Sequence, residues 1–287
     1  MRGWWKLIGE RFPPGSYLPL AFVFVLGNGG VAAAATGTGR PWLGFAIAGV
    51  MSLLFFFRLR CFDEIKDYEL DLVINPTRPL PRGAVSIPAV KRAFLIIAAV
   101  ELAIAAALGP RVLATHTIAL AYSFLMYREF FIGPRIRPHL TTYAVTHTFV
   151  SVLLGYSVAS VVTGLALWEL PWALLAFGLV NWCLFNLFEF ARKTYAREEE
   201  RVDVDSYSRI FRPAGGALLS ASQVAAALAV LAWLSELGWQ AVAAGLLAVP
   251  LLAYAVRPTV ATAKTFRGVT GVYLMAFYAL LAWRALG

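Results

Sequence analysis

Long apolar runs alternate with short polar connections along the whole chain, and the runs set the architecture. Stretches long enough to cross about 30 Å of hydrocarbon fall at 16–36, 41–58, 87–108, 112–131, 140–165, 170–190, 214–234, 238–256 and 267–286. Each reads as a membrane-spanning helix. The second is short, and its pattern continues as helix into the polar segment behind it; the fifth is long enough to require a tilt or a break. The expected fold class is therefore all-α, a polytopic membrane bundle of nine transmembrane helices, with residues 1–287 forming one integral-membrane domain. Two connections, those after helices 2 and 6, gather most of the polar chemistry.

Composition agrees with this pattern. The chain is 60% hydrophobic and 14% charged, with a mean hydropathy of +0.71, against about 25% charged residues in soluble domains. Nine spans put the termini on opposite sides of the membrane. With the N-terminus cytoplasmic, all but three of the 25 Lys and Arg residues fall on the cytoplasmic face, the exceptions being Arg40, Arg111 and Arg284. That division is what the positive-inside rule requires. The net charge of +9 and the pI near 9.8 are thus topology signals that contact anionic lipid headgroups, and no nucleic-acid partner is implied. The basic start and Val31 to Ala35 superficially suggest a cleaved leader, but the run is too long and further spans follow. Cys61 and Cys183 have no ligand spacing and read as reduced, packed thiols. His116, His139 and His147 read as packed or interfacial.

The first polar connection holds Asp63-Glu-Ile-Lys-Asp67-Tyr-Glu-Leu-Asp71, followed by Asn75-Pro-Thr-Arg78-Pro-Leu-Pro-Arg82-Gly83. On a helix, Asp63, Asp67 and Asp71 stand at i, i+4 and i+8, spanning about 12 Å of one face. Like charges so stacked repel unless a cation holds them or neighbouring arginines neutralise them. Mg²⁺ suits carboxylate oxygens and shares its shell with substrate phosphates. The second connection holds Asn186, Glu189, Arg192, Lys193, Arg197, the run Glu198-Glu199-Glu200, and Asp203. If helix 6 continues outward, Asn186, Glu189, Lys193 and Arg197 share a face, and the cations can clamp phosphate oxygens. Glu189 lies near the membrane boundary, where an unpaired carboxylate is costly, and Lys193 is its expected partner. Glu101 poses the same question deeper in helix 3, with a cavity-facing group or a helix-packing bond as alternatives. A third connection adds Arg128, Arg135 and Arg137 with little acid to balance them, and Arg135 is a candidate phosphate ligand.

The acidic clusters after helices 2 and 6, together with Asn75 to Gly83, resemble the UbiA superfamily of intramembrane prenyltransferases over nearly the whole chain. The family's first motif is met by Asp63, Asp67 and Asp71, and its Arg-Pro-Leu-Pro-x-Gly segment by Arg78 to Gly83. Its second, Asp-rich motif is altered: Glu189 stands where the first Asp is expected and Lys193 one turn on, with Glu198 to Glu200 as the acidic run. The resemblance implies a helical bundle around a central cavity, capped on the cytoplasmic side by the two motif loops. It implies an isoprenyl diphosphate substrate held by Mg²⁺ on Asp63, Asp67, Asp71, Glu189 and Glu198, with Arg78, Arg135 and Lys193 on the diphosphate. Transfer would go to an aromatic or other hydrophobic acceptor, or to a membrane lipid. A cyclase that traps its own allylic cation, and a non-catalytic membrane carrier, are the rival readings. The expected location is a bacterial or archaeal cell membrane, with the active-site loops cytoplasmic.

Overall fold

A computed structural model describes residues 2–38, 42–201 and 204–286; Arg40 and Asp203 lie outside the described residues. Those residues are helical and contain no strand. The helices are α1 (Arg2–Arg11), α2 (Pro14–Thr36), α3 (Trp42–Lys66), α4 (Tyr68–Ile74), α5 (Ile87–Leu108), α6 (Pro110–Tyr127) and α7 (Gly133–Ile136). They continue with α8 (Leu140–Thr148), α9 (Val150–Thr163), α10 (Trp172–Arg192), α11 (Tyr207–Trp233), α12 (Trp239–Val256) and α13 (Val260–Leu286).

Seven helical segments are long and apolar enough to cross a membrane: α2, α3, the joined α8–α9 segment, α10, α11, α12 and α13. They fit an integral membrane protein. The third and fourth expected spans are also helices, α5 and α6, but they fall short of that standard. The cause lies in their side chains: α5 carries Lys91, Arg92 and Glu101, and α6 carries Arg111 and His116. Two finer expectations hold. Helix α3 runs on through Asp63 to Lys66, and the long fifth segment breaks at Phe149 between α8 and α9.

Local chemistry explains where the helices stop and start. Gly37 ends α2 in the left-handed conformation (φ 65°), its N–H returning to the Ala33 carbonyl, a position that costs a residue with a Cβ. The Ser86 and Ser206 hydroxyls cap α5 and α11 by accepting from the Ala89 and Arg209 N–H groups. Helix α11 is broken at Arg212 (φ 63°, ψ 164°), because Pro213 bars its predecessor from the α conformation and removes one backbone donor.

Packing runs α2 against α13, α10 against α11, α3 against α5, and α6 against α9. Phe24, Phe55, Leu154, Leu184, Phe277 and Tyr278 are among the buried residues of the central core. Two polar clusters inside the bundle are fully partnered. Asn181 donates to Asn28 Oδ1 (2.6 Å) and accepts from the Tyr278 hydroxyl (2.8 Å). Arg58 and Glu101, both fully buried, form an ion pair at 3.0 Å. Ser123 accepts from Arg58 (2.6 Å), and His116 Nε2 lies 3.3 Å from Glu101 and its Nδ1 2.8 Å from Ser157. Glu101 therefore has a helix-packing role, and His116 is a packed histidine. Both cysteines are free and buried.

Candidate active site

The three aspartates lie where α3 passes into α4. The N–H groups of Asp67, Asp71 and Asn75 donate to the carbonyls of Asp63, Asp67 and Asp71 at 2.9, 2.8 and 3.0 Å. The i to i−4 ladder thus bridges the turn between the two helices, and the three side chains keep their common face. Their environments differ. Asp63 is half-exposed, with Arg60 at 3.6 Å, and Asp67 is exposed. Asp67's carboxyl is held above the ordinary carboxylate range by desolvation, then by the charges of Asp63 and Asp71. Asp71 is buried. Both its oxygens accept from Arg78 Nη1 (2.5 and 2.6 Å), and Asn75 adds a bond at 2.9 Å. Arg78 therefore ties the Pro-rich segment to the motif. Glu64 is neutralised in the same way, by Arg11 at 2.6 Å and Arg60 at 3.9 Å, which docks α1 on the motif.

Beside the aspartates lies a group of side chains that sequence spacing does not bring together. Lys66 Nζ donates to the Tyr143 hydroxyl (2.6 Å) and lies 3.4 Å from His147 Nε2, in the field of Asp63, Glu129 and Asp67. The rings of Tyr143 and His147 stack at 3.9 Å. Glu129 is buried and takes two bonds from Arg137 (2.9 and 2.8 Å). It sits in a 3-10 turn in which Glu129, Phe130 and Phe131 all have positive φ, a left-handed run that costs roughly 1–2 kcal/mol per residue and turns the carboxylate inward. Arg137 is thus balanced by acid, whereas Arg135 is exposed on α7 and forms no ion pair among the described residues.

The second motif lies at the end of α10. Glu189 pairs with Lys193 at 3.0 Å, as its position at the membrane boundary demands, and with Arg192 at 2.5 Å. The half-exposed Arg192 side chain also feels the charge of Asp63, so the two motif segments face one electrostatic space. Helix α10 ends at Arg192, so Arg197 leaves the face shared by Asn186, Glu189 and Lys193. Asn186 is committed to packing through Thr148 and Gln223. Of the three glutamates, Glu198 is exposed, Glu199 pairs with Arg267, and Glu200 accepts from Ser206 and Ser208. Among the described residues, no three His, Cys, Asp or Glu side chains gather closely enough to hold a metal ion. The donors that fit Mg²⁺ by chemistry and access are the Asp63 and Asp67 carboxylates, hard oxygen ligands one turn apart.

Glu199 makes one pH dependence predictable. Arg267 donates to both its oxygens (2.6 and 3.0 Å) and the Ala196 N–H to one (3.1 Å), so its carboxyl is held below the ordinary carboxylate range, chiefly by Arg267. A depressed folded pKa contributes stability above the unfolded value, and that stability is lost as pH falls through the folded value. The melting temperature of the wild type is expected to fall more steeply on acidification through the carboxylate range than that of Glu199→Gln, measured in parallel scans.

An all-helical bundle with seven apolar helices of membrane-spanning length and a row of three aspartates where one of them ends belongs to a known class. Residues 20–262 match the model of the UbiA prenyltransferase family. The chain is a member of that family, whose members are prenyltransferases. Solved structures show the same fold. One, from work on digeranylgeranylglyceryl phosphate synthase in membranes, aligns over 100% of this chain and 99% of its own with a TM-score of 0.69 at 12% identity. An apo UbiA homologue from Aeropyrum pernix K1 aligns over 91% and 96% with a TM-score of 0.67 at 17% identity. A homologue from Archaeoglobus fulgidus bound to GPP and Mg²⁺ aligns over 93% and 98% with a TM-score of 0.55 at 14% identity. No curated protein matches the chain.

Proposed function

We propose that the protein is a Mg²⁺-dependent prenyltransferase that moves a prenyl group from an isoprenyl diphosphate to an aromatic or lipid acceptor within the membrane. The observation that carries this is the pair of accessible carboxylates, Asp63 and Asp67, one turn apart, with Asp63 in the field of Arg192. The family membership and the GPP and Mg²⁺ in the Archaeoglobus homologue support the substrate class. Asp63 and Asp67 would hold the metal, which neutralises charge on the departing diphosphate as a Lewis acid. Arg192 and Lys193 bind diphosphate oxygens and stabilise charge as the C1–O bond breaks and diphosphate leaves with the electron pair. The acceptor then forms the new bond to C1 and loses its proton. Asp71 and Glu189 act as positioning residues, the first through Arg78 and the second through the basic pair; Glu198 and Arg135 are exposed groups available to the diphosphate.

The topology that goes with this reading has nine spans, with α5 and α6 crossing alongside the seven strongly apolar segments and both motif loops cytoplasmic. The basic-residue count and the buried contacts of α5 support it. The altered second motif also favours a second reading, a cyclase acting on the same diphosphate. Purified protein given labelled geranylgeranyl or farnesyl diphosphate and Mg²⁺, with and without lipid extract, separates the two. Diphosphate release that needs the extract indicates transfer; a cyclised hydrocarbon without it indicates cyclisation. No consumption in either arm defeats both.

Lys193→Ala and Arg192→Ala are each expected to raise KM for the diphosphate about tenfold, the scale of one lost charge-assisted hydrogen bond. Steady-state kinetics at saturating Mg²⁺ would read this out. Unchanged KM in both variants removes the basic pair from the diphosphate site.

A further inference from the structure

We propose a second binding site, for a neutral amphiphile, at the end of the bundle opposite the acidic motifs. A cavity of about 370 Å³ lies there, room for about a dozen heavy atoms at ~30 Å³ each, enough for the polar head and first carbons of a single-chain amphiphile. Its walls come from α2, α10, α11 and α13 and include Ala34, Phe177 and Leu234, with Gln240 from the start of α12. Leu174 lines it too, fifteen residues before Glu189 on the same helix and so about 22 Å from it along the axis.

Gln240 marks the void as a site. Its side chain is fully buried, it lines the cavity, and neither its Nε2 nor its Oε1 has a hydrogen-bond partner. A buried amide left without partners is costly; a ligand hydroxyl can accept from Nε2 and donate to Oε1, whereas a carbonyl oxygen can only accept from Nε2. The cavity's two charged wall residues, Glu236 and Arg284, pair with each other at 3.1 Å and are half-exposed. Their charges cancel, so an anionic or cationic head finds no unpaired counter-charge, while an uncharged head meets a free amide. The apolar walls take the adjoining chain or ring. The class is therefore an uncharged, hydroxyl-bearing lipid or lipid-like alcohol. This site does not depend on the prenyl-transfer reading, since none of its residues belongs to the diphosphate region.

The test uses the full-length protein in detergent with a diazirine-bearing monoacylglycerol, photolysed and mapped by mass spectrometry. Labelling is expected on the peptides holding residues 231–240 and 281–285, and unlabelled monoolein should compete it away. Gln240→Leu should weaken it about tenfold, as for one lost hydrogen bond in an apolar pocket, and Ala34→Phe should abolish it by filling the cavity. A diazirine fatty acid, which is charged, should label far less. Labelling that monoolein does not compete in the wild type, equal labelling by the fatty acid, or wild-type labelling in both folded variants would overturn the site. The competition and fatty-acid arms use the wild type alone, so they decide the matter even where a variant fails to fold.

Discussion

Asp67→Ala is expected to lower turnover of an isoprenyl diphosphate on the order of 10³-fold, the upper range for removing one group that stabilises charge in the transition state. Asp67 is the exposed middle member of the row, and Asp63 and Asp71 already oppose its ionisation, which is the electrostatic condition that a bound cation relieves. Asp63→Ala should approach the same loss. Asp71→Ala should act differently, because both Asp71 oxygens are bound to Arg78; its effect comes through loosening of the Pro-rich segment. Release of diphosphate from labelled geranylgeranyl diphosphate at several Mg²⁺ concentrations distinguishes the cases. An Asp67→Ala enzyme within twofold of the wild type would sink the metal role given to this carboxylate.

The largest expected effect on stability lies in the bundle interior. Glu101→Ala leaves the Arg58 guanidinium fully buried without its carboxylate, and removing one partner of a buried pair costs about 3–5 kcal/mol. Replacing both partners, Arg58→Met with Glu101→Leu, should recover most of that loss, since an apolar pair of similar volume leaves no charge uncompensated. Thermal unfolding in detergent would show the single variant melting well below the wild type and the double variant close to it. A double variant no better than the single would mean that Ser123 and His116, rather than the ion pair, set the energetics of this cluster.

Much of the fold could be read from periodicity because membrane spans are an all-or-none requirement on length and polarity. That same requirement explains why α5 and α6 fall short on polarity: α5 buries Glu101 against Arg58 of α3, α6 carries Arg111 at its start and the buried His116, and hydropathy counts such groups without their partners. Among the site residues, spacing alone placed Asp63, Asp67 and Asp71 on one face and paired Glu189 with Lys193. It could not foresee that Arg78 closes on Asp71, or that Glu199 and Glu200 are taken up by Arg267 and by two serines, since those contacts depend on how separate segments meet. The contact of Lys66 with Tyr143 is hidden from spacing for the same reason. The available signals were faint: a lysine lodged between two motif aspartates, and Tyr143 four residues before His147 on a helix.

The Arg58–Glu101 pair also bears on how the bundle is made. A carboxylate near the centre of an inserting segment is penalised by about 2.5–3.5 kcal/mol on insertion scales, and α5 carries Lys91 and Arg92 besides. On the nine-span reading, α5 is a poor candidate to enter the bilayer unaided. Helix α3 leaves the ribosome first, so Arg58 is already in place when Glu101 emerges, and the ion pair can form as α5 partitions. Synthesis in chain order is then part of the folding route, and a charge that looks misplaced in α5 acts as the address that brings it to α3.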